Sequence, residues 1–213
     1  MPKFLLFDLD GTLTDPQEGI VACFRHALEG LRIPDPGQAA LLDCIGPPLQ
    51  ESFARLAGAE RAADAVRLYR ERFSTVGLFE NAVYPGIPEV LAELRARGRR
   101  LFVATSKPHV FATRILEHFG LSSFFERVYG SELDGTRTKK GELIAWILER
   151  EGLRAEDGVM IGDRKHDVIG ASENGMPCWG VLWGYGSREE LTSAGARAFA
   201  SSPSDILKLA RDL

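Results

Sequence analysis

Short apolar runs that stop at a polar residue constrain the fold of this chain more than any other feature of its sequence. Three of them stand out: Lys3–Phe7 before Asp8, Arg100–Ala104 before Thr105, and Gly158–Gly162 before Asp163. Continuous apolar runs of this length are typical of strands that are covered on both faces. Cys178–Trp183 is predicted as a fourth strand, and Phe125–Tyr129 as a weaker fifth.

Helical patterns separate these strands. Apolar residues recur at helical spacing over residues 87–94, 111–119 and 143–148. A glycine that can end a helix follows each pattern, namely Gly98, Gly120 and Gly152. Strands that alternate with helices predict an α/β fold, in which helices cover both faces of a parallel sheet.

The alternation stops after the first strand. Asp15 is expected to cap a helix there, with Pro16 at its first position and Glu18 reaching back. A second candidate helix covers Ala59–Phe73, and no convincing strand is found up to about residue 80. The region therefore reads as an all-helical insert.

Two domains follow from this pattern. The helical insert is expected over residues 15–80, and the α/β core over residues 1–14 and 81–213.

The charge and the cysteines exclude several classes of protein. A net charge of −4 argues against a nucleic-acid-binding protein, since such proteins usually carry a basic excess. No apolar run is long enough for a membrane span or a secretory signal. The three cysteines, Cys23, Cys44 and Cys178, are widely separated and are interpreted as buried reduced thiols. We therefore predict a cytoplasmic protein with no membrane or nucleic-acid partner.

Polar residues are expected to meet at one edge of the sheet. Ligands of open parallel sheets bind beyond the carboxyl ends of the strands, where Asp8, Thr105 and Asp163 all fall. Lys139 and Lys140 precede the third predicted helix of the core. Carboxylates suit Mg²⁺, whereas a lysine and a hydroxyl suit phosphoryl oxygens. The combination indicates a site for a phosphate group and magnesium.

These positions resemble the four motifs of the haloacid dehalogenase superfamily. The matching segments, in motif order, are Asp8-Leu9-Asp10-Gly11-Thr12, Val103-Ala104-Thr105-Ser106, Lys140, and Gly162-Asp163-Arg164-Lys165-His166-Asp167. The helical insert is similar to the first type of cap in that superfamily. The resemblance covers essentially the whole chain and implies a Rossmann-like core with a cap inserted after the first strand.

The resemblance also implies catalytic and metal-binding roles. Asp8 would attack phosphorus and form an aspartyl-phosphate. Asp10 would protonate the leaving oxygen and then activate water. Mg²⁺ would be held by Asp8, the main-chain carbonyl of Asp10, and Asp163. Asp167 would bind metal waters or orient the motif lysine, unless it is an ordinary helix-capping carboxylate.

The phosphate ligands leave two choices. Lys140 is preferred to Lys139 as the motif lysine because it lies in the register of the family. Thr105 is preferred to Ser106 as the first ligand of the phosphoryl oxygens, with Ser106 as a second contact.

Several features of the sequence bear on other functions of the same scaffold. Asp10 argues against a dehalogenase, which needs no general acid there. A phosphonatase would use a cap lysine, and residues 15–80 contain none. A sugar phosphomutase stays open. A non-catalytic regulatory protein should have lost one of the motif residues, and none is lost.

The substrate is expected to be a small-molecule phosphate ester. Segments such as Tyr84-Pro85-Gly86-Ile87 and Gly184-Tyr185-Gly186-Ser187 resemble the phosphoglycolate phosphatase subgroup, while relatives with this pattern include 5′-nucleotidases and broad-specificity phosphatases. The stiff cap loop of Gly46, Pro47 and Pro48 is predicted to contact the substrate, although it could simply separate two helices. A monomer or a homodimer is expected.

Overall fold

The structure, a computed structural model, describes residues 2–211. Its strands are β1 (Phe4–Phe7), β2 (Thr14–Asp15), β3 (Ala82–Val83), β4 (Arg100–Pro108), β5 (Arg127–Ser131), β6 (Gly158–Gly162), β7 (Cys178–Val181) and β8 (Ala198–Ala200). Its α-helices are α1 (Gln17–Gly30), α2 (Gln38–Leu42), α3 (Leu49–Ala57), α4 (Ala62–Arg72), α5 (Ile87–Ala96), α6 (His109–His118), α7 (Lys140–Glu151), α8 (Lys165–Glu173), α9 (Arg188–Ala194) and α10 (Pro203–Leu209). None of the helices in this part of the chain is long and apolar enough to cross a membrane.

Six of the described strands form one parallel sheet, which confirms the predicted α/β class. Their order is β5-β4-β1-β6-β7-β8, so β1 lies between β4 and β6. Phe7 at the end of β1 is in register with Val103 on β4 and Ile161 on β6. After β1, the chain adds β4 and β5 on one side of it and then crosses back to add β6, β7 and β8 on the other side. The strand order therefore reverses between β1 and β6. Ligands of such sheets bind at that point.

The core of the α/β unit explains why β1 is apolar throughout. Phe4 and Leu6 belong to a buried cluster that also contains Leu143 and Ile144 of α7. Leu5 and Phe7 point to the opposite face and are also fully buried. With both faces covered, no position in β1 can be polar until the strand ends, and the first polar residue is Asp8.

Several boundaries differ from those predicted. The fifth predicted strand begins two residues later and covers Arg127–Ser131. Phe125 directly follows a single helical turn (Ser122–Phe124) and packs its ring on Phe7, so it lies before the strand. The strand from Cys178 ends at Val181, and β4 runs on to Pro108. β8, α9 and α10 were not predicted at all. The three cysteines are buried, as expected, and form no disulfide within residues 2–211.

The start of α1 was also predicted one residue too early. The helix begins at Gln17, with Pro16 at the cap position, while Asp15 lies in β2. The Asp15 carboxylate still accepts a hydrogen bond from the Gln17 amide (3.1 Å), so its local role is that of a turn residue.

The chain divides into two compact units. One runs up to Thr14 and resumes at Val83, and the other covers Asp15–Ala82. The inserted unit contains α1 to α4, and its core includes the packed rings of Phe24, Phe53 and Tyr69. A π-helical turn (Phe73–Gly77) follows α4.

Candidate active site

The predicted core residues lie at neighbouring strand ends. Asp8 follows β1, and its amide donates to Ile161 O of β6 (2.9 Å). Thr105 lies in β4 beyond Val103, which pairs with the last residue of β1. Asp163 directly follows β6 and is fully buried. The three residues therefore sit where the sheet topology places a ligand.

Lys140, and not its neighbour Lys139, reaches this edge. Its Nζ lies 3.0 Å from Asp8 Oδ1 and 2.7 Å from Asp167 Oδ1, and it donates to Ala104 O at 2.8 Å. The side chain of Lys139 is 83% exposed and pairs with a surface glutamate. The Lys140 ammonium is therefore buried within ion-pair distance of two carboxylates and donates one hydrogen bond to a main-chain carbonyl.

The charges of this cluster depend on one another. Burial opposes the ammonium of Lys140, but Asp167 and Asp8 outweigh that effect, so the pKa of Lys140 is raised. Burial raises the pKa of Asp167 to about 6, with the Asp8 charge adding to the rise and Lys140 opposing it. Lys140 is thus a fixed positive charge, and Asp167 is its buried partner.

Asp8, Asp163 and Asp167 form a group that fits a divalent cation. One carboxylate oxygen of each can be chosen so that the three lie within 4.8 Å of one another, and all three residues are buried. Only one ammonium, that of Lys140, contacts this group among the described ion pairs. Burial and the charges of Asp167 and Asp8 raise the pKa of Asp163 well above its ordinary value. An oxygen-rich, buried and excess-negative group has the chemistry that Mg²⁺ requires.

Asp163 is held in place by the first motif and by the loop after β7. Its Oδ1 accepts from Thr12 Oγ1 (3.3 Å), and its Oδ2 accepts from the Tyr185 amide (2.8 Å). Two glycines allow this close approach, since a Cβ on Gly11 or Gly184 would lie 2.2 to 2.5 Å from Asp163 Oδ2. Gly11 also has φ of +80°, which a side chain would disfavour.

Asp10 forms a second ion pair beside this cluster. A tight turn follows β1, in which the Gly11 amide donates to Thr14 O (2.8 Å). The carboxylate of Asp10 lies 2.8 Å from Lys107 Nζ, and the two side chains are only 14% and 6% exposed. Burial raises the pKa of Asp10, Lys107 opposes the rise, and Asp8 adds to it. A carboxyl group with a raised pKa can hold a proton more readily than an ordinary aspartate.

Thr105 and Ser106 occupy an irregular part of β4. The register with β5 shifts between Thr105 and Pro108. Thr105 is buried, and its hydroxyl accepts from the Lys107 amide (3.2 Å). The hydroxyl proton of Thr105 can still be donated, as a phosphate ligand requires. Ser106 is half-buried, and its carbonyl accepts from Ser131 Oγ (2.8 Å).

The predicted loop of Gly46, Pro47 and Pro48 belongs to the inserted unit, between α2 and α3. Gly46 has φ of +107°, and Pro48 caps α3. The loop therefore does separate two helices, as the simpler interpretation expected. A contact with substrate stays a prediction.

Sequence reasoning missed Lys107. The motif Val103-Ala104-Thr105-Ser106 points to its hydroxyls as ligands, whereas the lysine that follows it lies outside the motif. The signal was available, because Lys107 follows Thr105 at the period of a strand. Its partner could not have been read from the sequence, because Asp10 is brought to it by strand pairing.

Comparison with known families agrees with this architecture. A family model described as haloacid dehalogenase-like hydrolase matches residues 5–181. The match includes all four motifs and most of the chain, so the protein belongs to the haloacid dehalogenase-like hydrolase family. The resemblance inferred from the motifs is confirmed.

Individual relatives carry different names. The chain is 55% identical over 189 residues to a 5′-nucleotidase of Pseudomonas aeruginosa, covering 88% of this chain and 86% of that protein. It is 43% identical over 185 residues to the tyrosine-protein kinase PtkA of Mycobacterium tuberculosis, covering 87% of this chain but only 64% of the kinase. A predicted phosphatase from Clostridium acetobutylicum has a solved structure that matches with a TM-score of 0.96 and 42% identity over the full length of both chains.

Proposed function

We propose that this protein is a magnesium-dependent phosphatase that hydrolyses small phosphate monoesters through an aspartyl-phosphate on Asp8. The observation that carries the proposal is the buried group of Asp8, Asp163 and Asp167, in which Asp8 and Asp167 contact the Lys140 ammonium, at the end of the sheet where the strand order reverses. A phosphoryl group needs positive charge and a nucleophile at one point, and this edge supplies both.

Asp8 is the nucleophile in this proposal. One of its oxygens lies within 3.0 Å of Lys140, which fixes the orientation of the carboxylate. As an Asp8 oxygen bonds to phosphorus, the bond from phosphorus to the ester oxygen breaks, and the phosphoryl group is transferred to the enzyme. Water then cleaves the aspartyl-phosphate and releases inorganic phosphate.

Asp10 supplies the proton chemistry of both steps. Burial raises its pKa, so this carboxyl group takes up a proton more readily than an ordinary aspartate, and in the proposal it protonates the departing ester oxygen. The carboxylate left behind then takes a proton from the attacking water, so the enzyme returns to its starting state.

The phosphoryl oxygens require ligands of their own. In the proposal Lys140 and the Thr105 hydroxyl bind them, with Ser106 as a further contact, which is supported by the contact of Lys140 with the nucleophile Asp8. Mg²⁺ held by Asp8, the Asp10 carbonyl and Asp163 would neutralise the charge that develops on the phosphoryl group. Asp167 acts through Lys140, which it contacts at 2.7 Å, so we assign it a positioning role.

Nucleoside 5′-monophosphates are the substrate class to test first. The support is the 55% identical relative named 5′-nucleotidase. The motif-based expectation of 2-phosphoglycolate is the second candidate. Both are esters of primary alcohols, so the same core chemistry serves either.

The covalent step is tested by Asp8→Asn. A neutral amide cannot attack phosphorus, so turnover should fall to less than about a hundredth of the wild-type rate, a loss of several kcal/mol in transition-state stabilisation. Acid-quenched wild-type enzyme should carry the phosphoryl group on the peptide that contains Asp8, as detected by mass spectrometry.

Asp157→Asn is the matched control for this variant. Asp157 precedes β6, at the opposite end of the strand from Asp163, and pairs with Lys3 on the surface (3.0 Å). The control should keep wild-type activity. An active Asp8→Asn enzyme, or labelling of a different residue, would contradict the covalent mechanism.

A kinase activity is the competing function, because of the relative named tyrosine-protein kinase. The two functions separate in one assay with labelled ATP and the substrate panel of AMP, 2-phosphoglycolate and p-nitrophenyl phosphate. The phosphatase proposal requires release of inorganic phosphate from the esters. Stable phosphotyrosine formed from ATP, without ester hydrolysis, would refute it.

A further inference from the structure

We infer that Lys107 is the positioning residue for Asp10, holding one carboxylate oxygen so that the other is left for proton transfer. The inference rests on the proposed function, because it assigns a role within the same reaction. Lys107 Nζ lies 2.8 Å from Asp10 Oδ2, and the lysine side chain is 6% exposed.

The two oxygens of Asp10 have different surroundings. Oδ2 pairs with Lys107. Oδ1 is buried and accepts no hydrogen bond from the described residues. Leaving a buried carboxylate oxygen without a hydrogen-bond donor costs free energy. We therefore expect Oδ1 to interact with a group that enters the site during the reaction. The departing ester oxygen and the attacking water are partners of that kind.

The backbone is built to aim Lys107 at this point. Thr105 pairs with Gly130 on β5, but the next pair is Pro108 with Ser131, so Ser106 and Lys107 bulge out of the ladder. Bulges next to active sites commonly redirect a side chain.

Two hydrogen bonds stabilise this bulge, and a glycine on the neighbouring strand makes room for it. The Lys107 amide donates to Thr105 Oγ1 (3.2 Å), and the Ser106 carbonyl accepts from Ser131 Oγ (2.8 Å). Gly130 leaves room for the bulge, since a Cβ there would lie 2.5 Å from the Lys107 carbonyl oxygen.

Energetics favour a functional reason for the pair. A lysine gains most by extending its ammonium into water, and a buried one loses both hydration and side-chain entropy. A buried ion pair is weak evidence for added stability. The pair instead fixes the direction of the Asp10 carboxyl group, and catalysis depends on the orientation of the proton donor. A gain in activity, and not in stability, therefore explains why this lysine is buried.

The proton balance assigns each oxygen a task. In the first step, the proton on Oδ1 moves to the ester oxygen as its bond to phosphorus breaks. In the second step, Oδ1 takes a proton from the water that attacks the aspartyl-phosphate. Lys107 keeps its contact with Oδ2 throughout, so it acts through Asp10 and does not touch the substrate.

The test compares leaving groups in Lys107→Met. The two probes are p-nitrophenyl phosphate, whose phenolate departs without a proton, and the alkyl ester that the wild type hydrolyses fastest among AMP, 2-phosphoglycolate and glycerol phosphate. The measured quantity is kcat/KM, because it reports the steps up to release of the leaving group. We expect a loss of about tenfold to a hundredfold for the alkyl ester, and less than about threefold for the aryl ester.

Two further variants calibrate the result. Asp10→Asn should show the same selectivity for leaving groups in a stronger form. Lys208→Met removes a lysine from a surface pair with Asp205 of similar length (2.7 Å) and should change neither value. If the methionine variant does not fold, as judged by circular dichroism, Lys107→Gln is measured with the same expectation.

Equal losses for both esters, or no loss for either, would overturn the role of Lys107 provided that Asp10→Asn is selective. Failure of the proposed function looks different. In that case the wild type would hydrolyse neither ester, or Asp10→Asn would show no selectivity.

Discussion

The Lys140 cluster allows a prediction that separates folding from catalysis. Lys140→Met replaces a buried ammonium with an uncharged side chain of similar length. Asp8 and Asp167 then lose contacts of 3.0 and 2.7 Å to the same nitrogen, and Ala104 O loses its donor. Carboxylates that repel each other are left buried without a counter-charge.

Removing one partner of a buried ion pair typically costs about 3–5 kcal/mol, because the other charge is left uncompensated. We expect the free energy of unfolding to fall by about that amount in the absence of metal. Adding Asp167→Asn removes one of the two uncompensated charges, and with it the repulsion between them, with almost no change in shape. The double variant should therefore recover most of the loss, while activity stays absent because the ligand for the phosphoryl oxygens is missing.

Urea unfolding followed by circular dichroism measures the stability, with EDTA present so that bound metal does not contribute. The single variants, the double variant and the wild type complete a double-mutant cycle. A fall of less than about 1 kcal/mol for Lys140→Met, the net value of an ordinary hydrogen bond, would refute the uncompensated-charge argument. A double variant no more stable than Lys140→Met would refute it as well.

The metal and the inserted unit give two more tests. Burial raises the pKa of Asp167 from 3.8 to about 6, so the metal-free folded state binds more protons than the unfolded chain and loses stability as pH rises through this window. Mg²⁺ should accordingly raise the thermal midpoint more at about pH 8 than at about pH 5, and the opposite order would contradict the assignment. Replacing Pro47 and Pro48 with alanine should change the ratio of kcat/KM between AMP and 2-phosphoglycolate but affect p-nitrophenyl phosphate much less. Replacing Pro34 and Pro36 with alanine, in another loop of the same unit, should leave this ratio unchanged. If the two double variants change the ratio equally, the loop of Pro47 and Pro48 has only a structural role.

Local sequence patterns were sufficient to predict the central strands β1 and β6. β1 and β6 are buried on both faces, so their sequences are apolar to the last residue and stop abruptly at Asp8 and Asp163. That contrast depends on the chain alone, and it located both acids. β8 was missed because it has only three residues at the edge of the sheet, two of them partly exposed, and so shows no such contrast.

One helix end was predicted from the sequence, and one helix start was not. Gly152 takes the left-handed conformation that ends α7, and its place was visible in the sequence. The start of α1 was misplaced because Asp15 also takes part in strand pairing, which a helix-capping pattern cannot reveal.

The sequence by itself determined which residue types could do chemistry, because the residues of the first, second and fourth motifs are close neighbours within each motif and follow an apolar run. Only the tertiary structure decided how they combine. Lys140 meets Asp8 across 132 positions and Asp10 meets Lys107 across 97, distances closed by parallel strand pairing that no local pattern encodes. The family register favoured Lys140 over Lys139, but only the structure shows that Lys140 is buried against the acids while the Lys139 side chain is exposed to water.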